Sequence, residues 1–139
     1  VKNRYLKTFT KALIAQAPAS PAPGAGNANG TVVDLVAQPE VQAGIALIAV
    51  GAPTGTPSSF SCVYKLQTSS DNFSTDTTDV ASITVTAAGI YCIPFEPFGL
   101  SQYVRVRREL TFVSGTSPTL PDCVIIQLGD PKYAPLAGV

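Results

Sequence analysis

From residue 60 onward, apolar and polar side chains alternate with a period of two. Over 60–68, Phe60, Cys62, Tyr64 and Leu66 point one way and Ser61, Val63, Lys65 and Gln67 the other, as in a strand with one face on a core. Residues 81–86 (ASITVT) repeat the pattern with Ile83 and Val85 inward. The longest candidate is 102–113 (QYVRVRRELTFV). There Val104 and Val106 share a face with Leu110 and Phe112, while Tyr103, Arg105 and Arg107 share the opposite one. Arg108 then falls on the apolar face, so either a bulge re-registers the strand or Arg108 is paired there. Further strands are predicted at 31–36 (TVVDLV), 90–93 and 123–128 (CVIIQL). The continuous apolar run 45–50 (IALIAV) predicts a strand covered on both faces.

Turn-forming residues separate these segments. A Gly/Pro/Thr loop spans 51–59, a long polar one spans 69–79 (SSDNFSTDTTD), and Pro94, Pro97 and Gly99 break the chain after 93. About seven short strands joined in this way, with no helical periodicity between them, predict an all-β fold: an antiparallel β-sandwich or jelly roll. The sandwich is expected over 31–129, with an irregular tail over 130–139.

The first thirty residues differ. In 1–14, Tyr5, Phe9 and Leu13 recur at helical spacing, which fits a short amphipathic helix or an arm that orders on a partner. Residues 15–30 are rich in Pro, Ala, Gly and Asn and read as a linker, with a reach of at most roughly 50 Å when extended. The expected organisation is therefore an extended N-terminal arm and linker ahead of a β-module.

Charge sharpens that contrast. Formal net charge is zero, yet Lys2, Arg4, Lys7 and Lys11 fall in the first eleven residues, which contain no acid. The arm is thus basic and the body acidic, a pairing that favours attraction between neighbouring subunits. A neutral chain argues against nucleic-acid binding by the whole domain. Charged residues make up only 13%, well under the usual share of about 25%, so much of the surface is neutral and easily covered by a partner. No apolar stretch approaches the roughly 20 residues needed to cross a bilayer, so no membrane partner is expected. The apolar run at 12–15 is too short for a secretory leader. Three cysteines with no CxxC pair exclude the usual zinc spacings. They read as reduced thiols, or as one disulfide and one free thiol.

Little in the chain points to catalysis. Histidine is absent, which removes His-based triads, and the carboxylates form no recognised motif; no enzymatic role and no cofactor are expected. Asp71, Asp76 and Asp79 crowd one loop, but their spacing fits no EF-hand, and Asp beside Ser and Thr is ordinary turn chemistry. Tyr103, Arg105 and Arg107 are candidates for a protein interface, where Arg and Tyr are favoured anchors. In the arm, Lys2, Arg4, Tyr5, Lys7, Phe9 and Lys11 are the candidate partner contacts. Their aromatic members have no core of their own to enter.

The run VYKLQTSSDNFS, a polar insert, and ITVTAAGIYCIPFEPFGLSQYVRVRRELT resemble the capsid cement (head decoration) proteins of tailed bacteriophages. The resemblance rests on Leu66-Gln67-Thr68-Ser69, Gly89, Ile93-Pro94 and Tyr103-Val104-Arg105-Val106, and covers about residues 60–113. The basic arm, the linker and residues 114–139 lie outside it. It implies a jelly roll on the outer surface of the capsid, assembled in the host cytoplasm. Its partners would be the major capsid protein and further copies of itself, as homodimer or homotrimer, and it implies no catalytic residue. The alternative is a tail, fibre or glycan-binding β-sandwich of the virion.

Overall fold

A computed structural model describes residues 11–19, 22–37 and 41–131. Along them run strands β1 (Lys11–Gln16), β2 (Gly26–Asn29), β3 (Val33–Asp34), β4 (Val41–Val50), β5 (Ser59–Ser69), β6 (Thr78–Val85), β7 (Gly89–Phe95), β8 (Tyr103–Val113) and β9 (Asp122–Pro131). A single 3-10 turn, Pro97–Gly99, precedes β8.

The strands form two sheets. The first has the order β1-β9-β4-β7 and the second β2-β8-β5-β6, with β3 pairing on β8 beyond β2. All pairings are antiparallel and nested: β5 with β6, β4 with β7, β2 with β8, and β1 with β9. The chain is thus one long hairpin with its tip at the loop after β5. Rolling that hairpin up brings β4 beside β9 and β5 beside β8. This is the eight-stranded jelly roll, as the sequence pattern predicts.

The core lies between the sheets and follows the alternation. Ala46, Ile48 and Val50 of β4 and Val124, Ile126 and Leu128 of β9 are buried. They face Phe60, Cys62, Tyr64 and Leu66 of β5 and Val104, Val106 and Leu110 of β8, which are buried too. Each such aliphatic or aromatic side chain contributes roughly 1.5–3 kcal/mol on burial.

The two connecting loops at one end hold each other. Thr54 N donates to Thr119 O at 2.9 Å and Thr116 N to Gly55 O at 2.8 Å. Gly55 sits at φ +75, and a Cβ there would stand 2.5 Å from Thr116 O. Only glycine fits that crossing.

Several expectations are corrected. Residues 11–14 are strand, not helix: β1 pairs Lys11 with Leu128 and Leu13 with Ile126. A helix this short is marginal in isolation, whereas the strand fills a sheet edge and buries Ala15. The presumed linker contributes β2, which pairs Ala28 with Arg108. The strand predicted at 31–36 shrinks to β3, because the Asp34 carboxylate accepts from Val36 N at 3.0 Å and turns the chain. Strand β7 runs on through Pro94 to Phe95; as an edge strand it tolerates a residue without an N–H. Strand β4 is buried on one face only, with Ile45, Leu47 and Ala49 half-exposed on the other. At Arg108 the register with β5 is continuous, Tyr64 to Arg108 and Lys65 to Arg107, so pairing and not a bulge accommodates the charge.

Candidate functional site

Among the described residues, the distinctive chemistry lies in a buried polar cluster and two contrasting outer faces. The cluster joins the sheets. Asp122 of β9 receives Arg108 Nη1 on both carboxylate oxygens, at 2.9 and 3.2 Å. Tyr64 Oη donates to the same carboxylate at 2.6 Å, and Gln16 Nε2 at 2.9 Å. Arg108 and Asp122 are each only 6% exposed. Arg108 Nε and Gln16 Oε1 have no partner. Burial, and then the bond to Asp122, pushes the Tyr64 phenol far above its ordinary value, so it stays a neutral donor. Beside it, burial raises the Cys62 thiol to about 11, leaving it unreactive. All three cysteines are free: Cys62 buried, Cys123 half-exposed, Cys92 exposed.

The outer face of the second sheet is charged. Tyr103, Arg105 and Arg107 stand on it together, each half-buried. Arg107 Nε donates to Glu109 Oε1 at 3.1 Å, and Lys65 Nζ reaches the same oxygen at 3.0 Å. Lys65 leads this pairing in holding the Glu109 carboxyl below its ordinary value. These pairs are partly solvated, so solvent screening leaves them little weight in stability. Arg105 differs: it has no carboxylate partner in the described pairs. Its Nε donates to Gln67 Oε1 at 3.0 Å, and Gln67 in turn donates to Asp79 at 2.7 Å. The Arg105 guanidinium lies 4.0 Å from the Phe73 ring centroid, a cation–π contact.

Phe73 comes from the loop joining β5 to β6, which folds back over this face. Its backbone is at φ +61, after Asn72 at φ +57, a strained region for a bulky residue. Asp71 holds the turn. Its carboxylate accepts from Thr75 N and Oγ1 at 2.8 and 2.7 Å and from Ser69 Oγ at 2.9 Å. Those bonds, Thr75 Oγ1 foremost, hold the carboxyl well below the usual carboxylate range. Asp76 is engaged by Ser70 N and Oγ, both at 2.9 Å. The acidic loop is therefore wired internally, as turn chemistry requires.

The outer face of the first sheet is the opposite. The register sets Ile14, Ile125, Leu47 and Cys92 in one row across its four strands. The row below holds Ala12, Gln127, Ile45 and Pro94, and the row above places Ala49 between Cys123 and Ile90. Among the described residues no charged side chain stands on this face. Ile14 is 62% and Ile90 75% exposed, at its two edges. The sequence reading missed this face because IALIAV reads as two-sided burial.

Of the predicted arm contacts, Lys2, Arg4, Tyr5, Lys7 and Phe9 lie outside the described residues. Lys11 opens β1, but its side chain lies outside them as well.

No protein-family model matches the chain, and no curated protein matches it in sequence. Among solved structures it is similar to PirA, at 13% identity over 86% of this chain and 93% of that one, with a TM-score of 0.45. It is also similar to the structure of infectious bursal disease virus Gx strain, at 8% identity, 90% coverage and a TM-score of 0.46, where it spans 34% of that chain. The Tobacco streak virus coat protein aligns at 10% identity over 94% of both chains, with a TM-score of 0.38. The jelly-roll assignment rests on the strand order of this chain itself.

Proposed function

We propose that this chain is a structural virion protein that binds the outside of a phage head and stabilises the major capsid lattice. The observation that carries the reading is where the resemblance falls. Residues 60–113 cover nearly all of β5 to β8, and three of these strands carry the charged outer face with Tyr103, Arg105 and Arg107. In this reading that face and the basic arm meet acidic capsid surface, and Tyr5 and Phe9 supply buried anchors. A ligand that binds the assembled lattice, and not its dissociated subunits, stabilises the lattice by its binding free energy. Repetition over a symmetric shell multiplies the effect.

The test is co-sedimentation of the purified chain with phage heads stripped of auxiliary proteins. Deletion is confined to residues 1–10, because Lys11–Gln16 is a sheet strand. Saturable binding by the full chain, weakened by that deletion and by Arg105→Glu with Arg107→Glu, is the expected result. Absence of saturable binding by the full chain overturns the proposal.

A further inference from the structure

The cations on the outer face of the second sheet are not equivalent. Lys65 and Arg107 share Glu109, and Lys65 also stands 3.8 Å from Asp79. Asp34, at the edge beside Tyr103, is held by Gln102 Nε2 at 3.2 Å. Arg105 meets no carboxylate among the described residues; burial, and then the neighbouring Arg107 charge, lowers its guanidinium from the ordinary value. It remains a cation at any working pH. Its surroundings nevertheless fix its position. Gln67 Oε1 accepts from Nε, and Asp79 orients the Gln67 amide. Phe73 lies under the guanidinium, carried there by a backbone at φ +61. Nη1 and Nη2 donate to no acceptor among the described residues, and the side chain is half-exposed. The result is a guanidinium fork that is oriented, accessible and uncommitted.

We propose that Arg105 is the recognition residue of this face, and that its fork receives one side-chain carboxylate from an acidic segment of a partner protein. Geometry selects the group: a planar carboxylate takes two parallel N–H···O bonds from Nη1 and Nη2. Charge selects it too. One negative charge matches the one cation without an anion, whereas a phosphate dianion would also meet Asp79, Glu109 and Asp34 on the same face. Preorganisation adds affinity, because Gln67 and Phe73 order a long side chain before the ligand arrives. These two are positioning residues. Tyr103, the next same-face residue on β8, stands about 6.7 Å along the strand and supplies the aromatic anchor that protein interfaces favour. Arg107, already paired with Glu109, has only a supporting role. The choice of a protein as the source of the carboxylate rests on the capsid reading; the chemistry of the fork does not.

The test is NMR of the isotope-labelled full chain titrated with the blocked tripeptide acetyl-Gly-Glu-Gly-amide. Saturable shifts of the Arg105 Nε–H signal and of the amides from Tyr103 to Arg107 are expected, with a Kd in the millimolar range. The same tripeptide with glutamine in place of glutamate should shift neither. Arg105→Lys keeps the charge but loses the fork, and should weaken binding about fivefold or more. Arg107→Lys should change it less than about twofold. Phe73→Leu should weaken it about two- to fivefold with an unchanged thermal melt. Absence of saturable shifts overturns the proposal, as do equal binding of the two tripeptides and undiminished binding by Arg105→Lys. Inorganic phosphate or N-acetylneuraminate binding at Arg105 more tightly than the glutamate tripeptide would make this a phosphate or acidic-sugar site and also overturns it. Phage heads play no part in the titration. Heads bound by a chain blind to the tripeptide would overturn this proposal alone, and tripeptide bound by a chain that ignores heads would support it while overturning the capsid reading.

Discussion

Asp122→Ala tests whether the buried cluster closes as a unit. The substitution removes the acceptor of Arg108, Tyr64 and Gln16 together. It leaves a guanidinium only 6% exposed with no anion. Breaking a buried pair from one side costs about 3–5 kcal/mol, and the orphaned phenol places this case near the top of that range. Against a total stability of about 5–15 kcal/mol this is severe. With an m-value of about 1.5 kcal/mol/M, a loss of 4 kcal/mol moves the urea midpoint down by about 2.7 M. Far-UV circular dichroism reads it directly. The double variant Arg108→Met with Asp122→Leu should recover part of the loss, because it also removes the unpartnered Nε and leaves no buried charge, while the Tyr64 phenol and Gln16 Nε2 still lack their acceptor. Where the single variant is unfolded without urea, the double variant carries the comparison. A midpoint shift under about 0.7 M for Asp122→Ala, or a double variant as damaged as the two single variants summed, would refute the reasoning.

Two further outcomes follow from local geometry. Gly55→Ala should lower stability by about 1–3 kcal/mol in the same urea assay, because the new Cβ meets a carbonyl oxygen at 2.5 Å and the backbone lies at φ +75. Asp71, held below its ordinary value of 3.8, favours the folded loop as a carboxylate. That contribution is complete at neutral pH and is lost as pH falls below 3.8 through the lowered folded value. Pepsin should therefore cut beside Phe73 increasingly as pH drops below that value, and Asp71→Asn should open the loop to a neutral-pH protease with chymotryptic preference.

What the sequence revealed depended on whether two faces of a strand differed. In β5 and β8 they do, and the inward sets Phe60 to Leu66 and Val104 to Leu110 were legible, down to the anomaly at Arg108. In β4 both faces are apolar, and nothing local tells core from exposed sheet. Register resolves it, because Leu47 and Ile125 are neighbours far apart in sequence. Strand β1 was hidden by the helical spacing of Tyr5, Phe9 and Leu13 and by its helix-forming Ala, Leu and Lys, and β2 by its Gly and Asn, which read as turn residues; their pairing with β9 and β8 decides. Asp122 lies one residue before the strand predicted at 123–128. Its parity with Val124, Ile126 and Leu128 was the available signal, a charge on an inward face that demands a partner such as Arg108.

The nested pairing has a consequence for synthesis. The tip hairpin, Cys62 opposite Val85, can close while the rest of the chain is still being made. Lys11 must wait for Leu128, which a ribosome working at about 5–20 residues per second delivers on the order of ten seconds later. Until then Leu13, Ile14 and Ala15 have no strand to join. Because β9 lies between β1 and β4, the last of the described strands to be made is the middle of its sheet. A nascent chain stopped before residue 122 would lack both the centre of that sheet and the carboxylate that Arg108 requires, and would present chaperones with an unpaired β1 and a bare edge on β4, which keeps only β7.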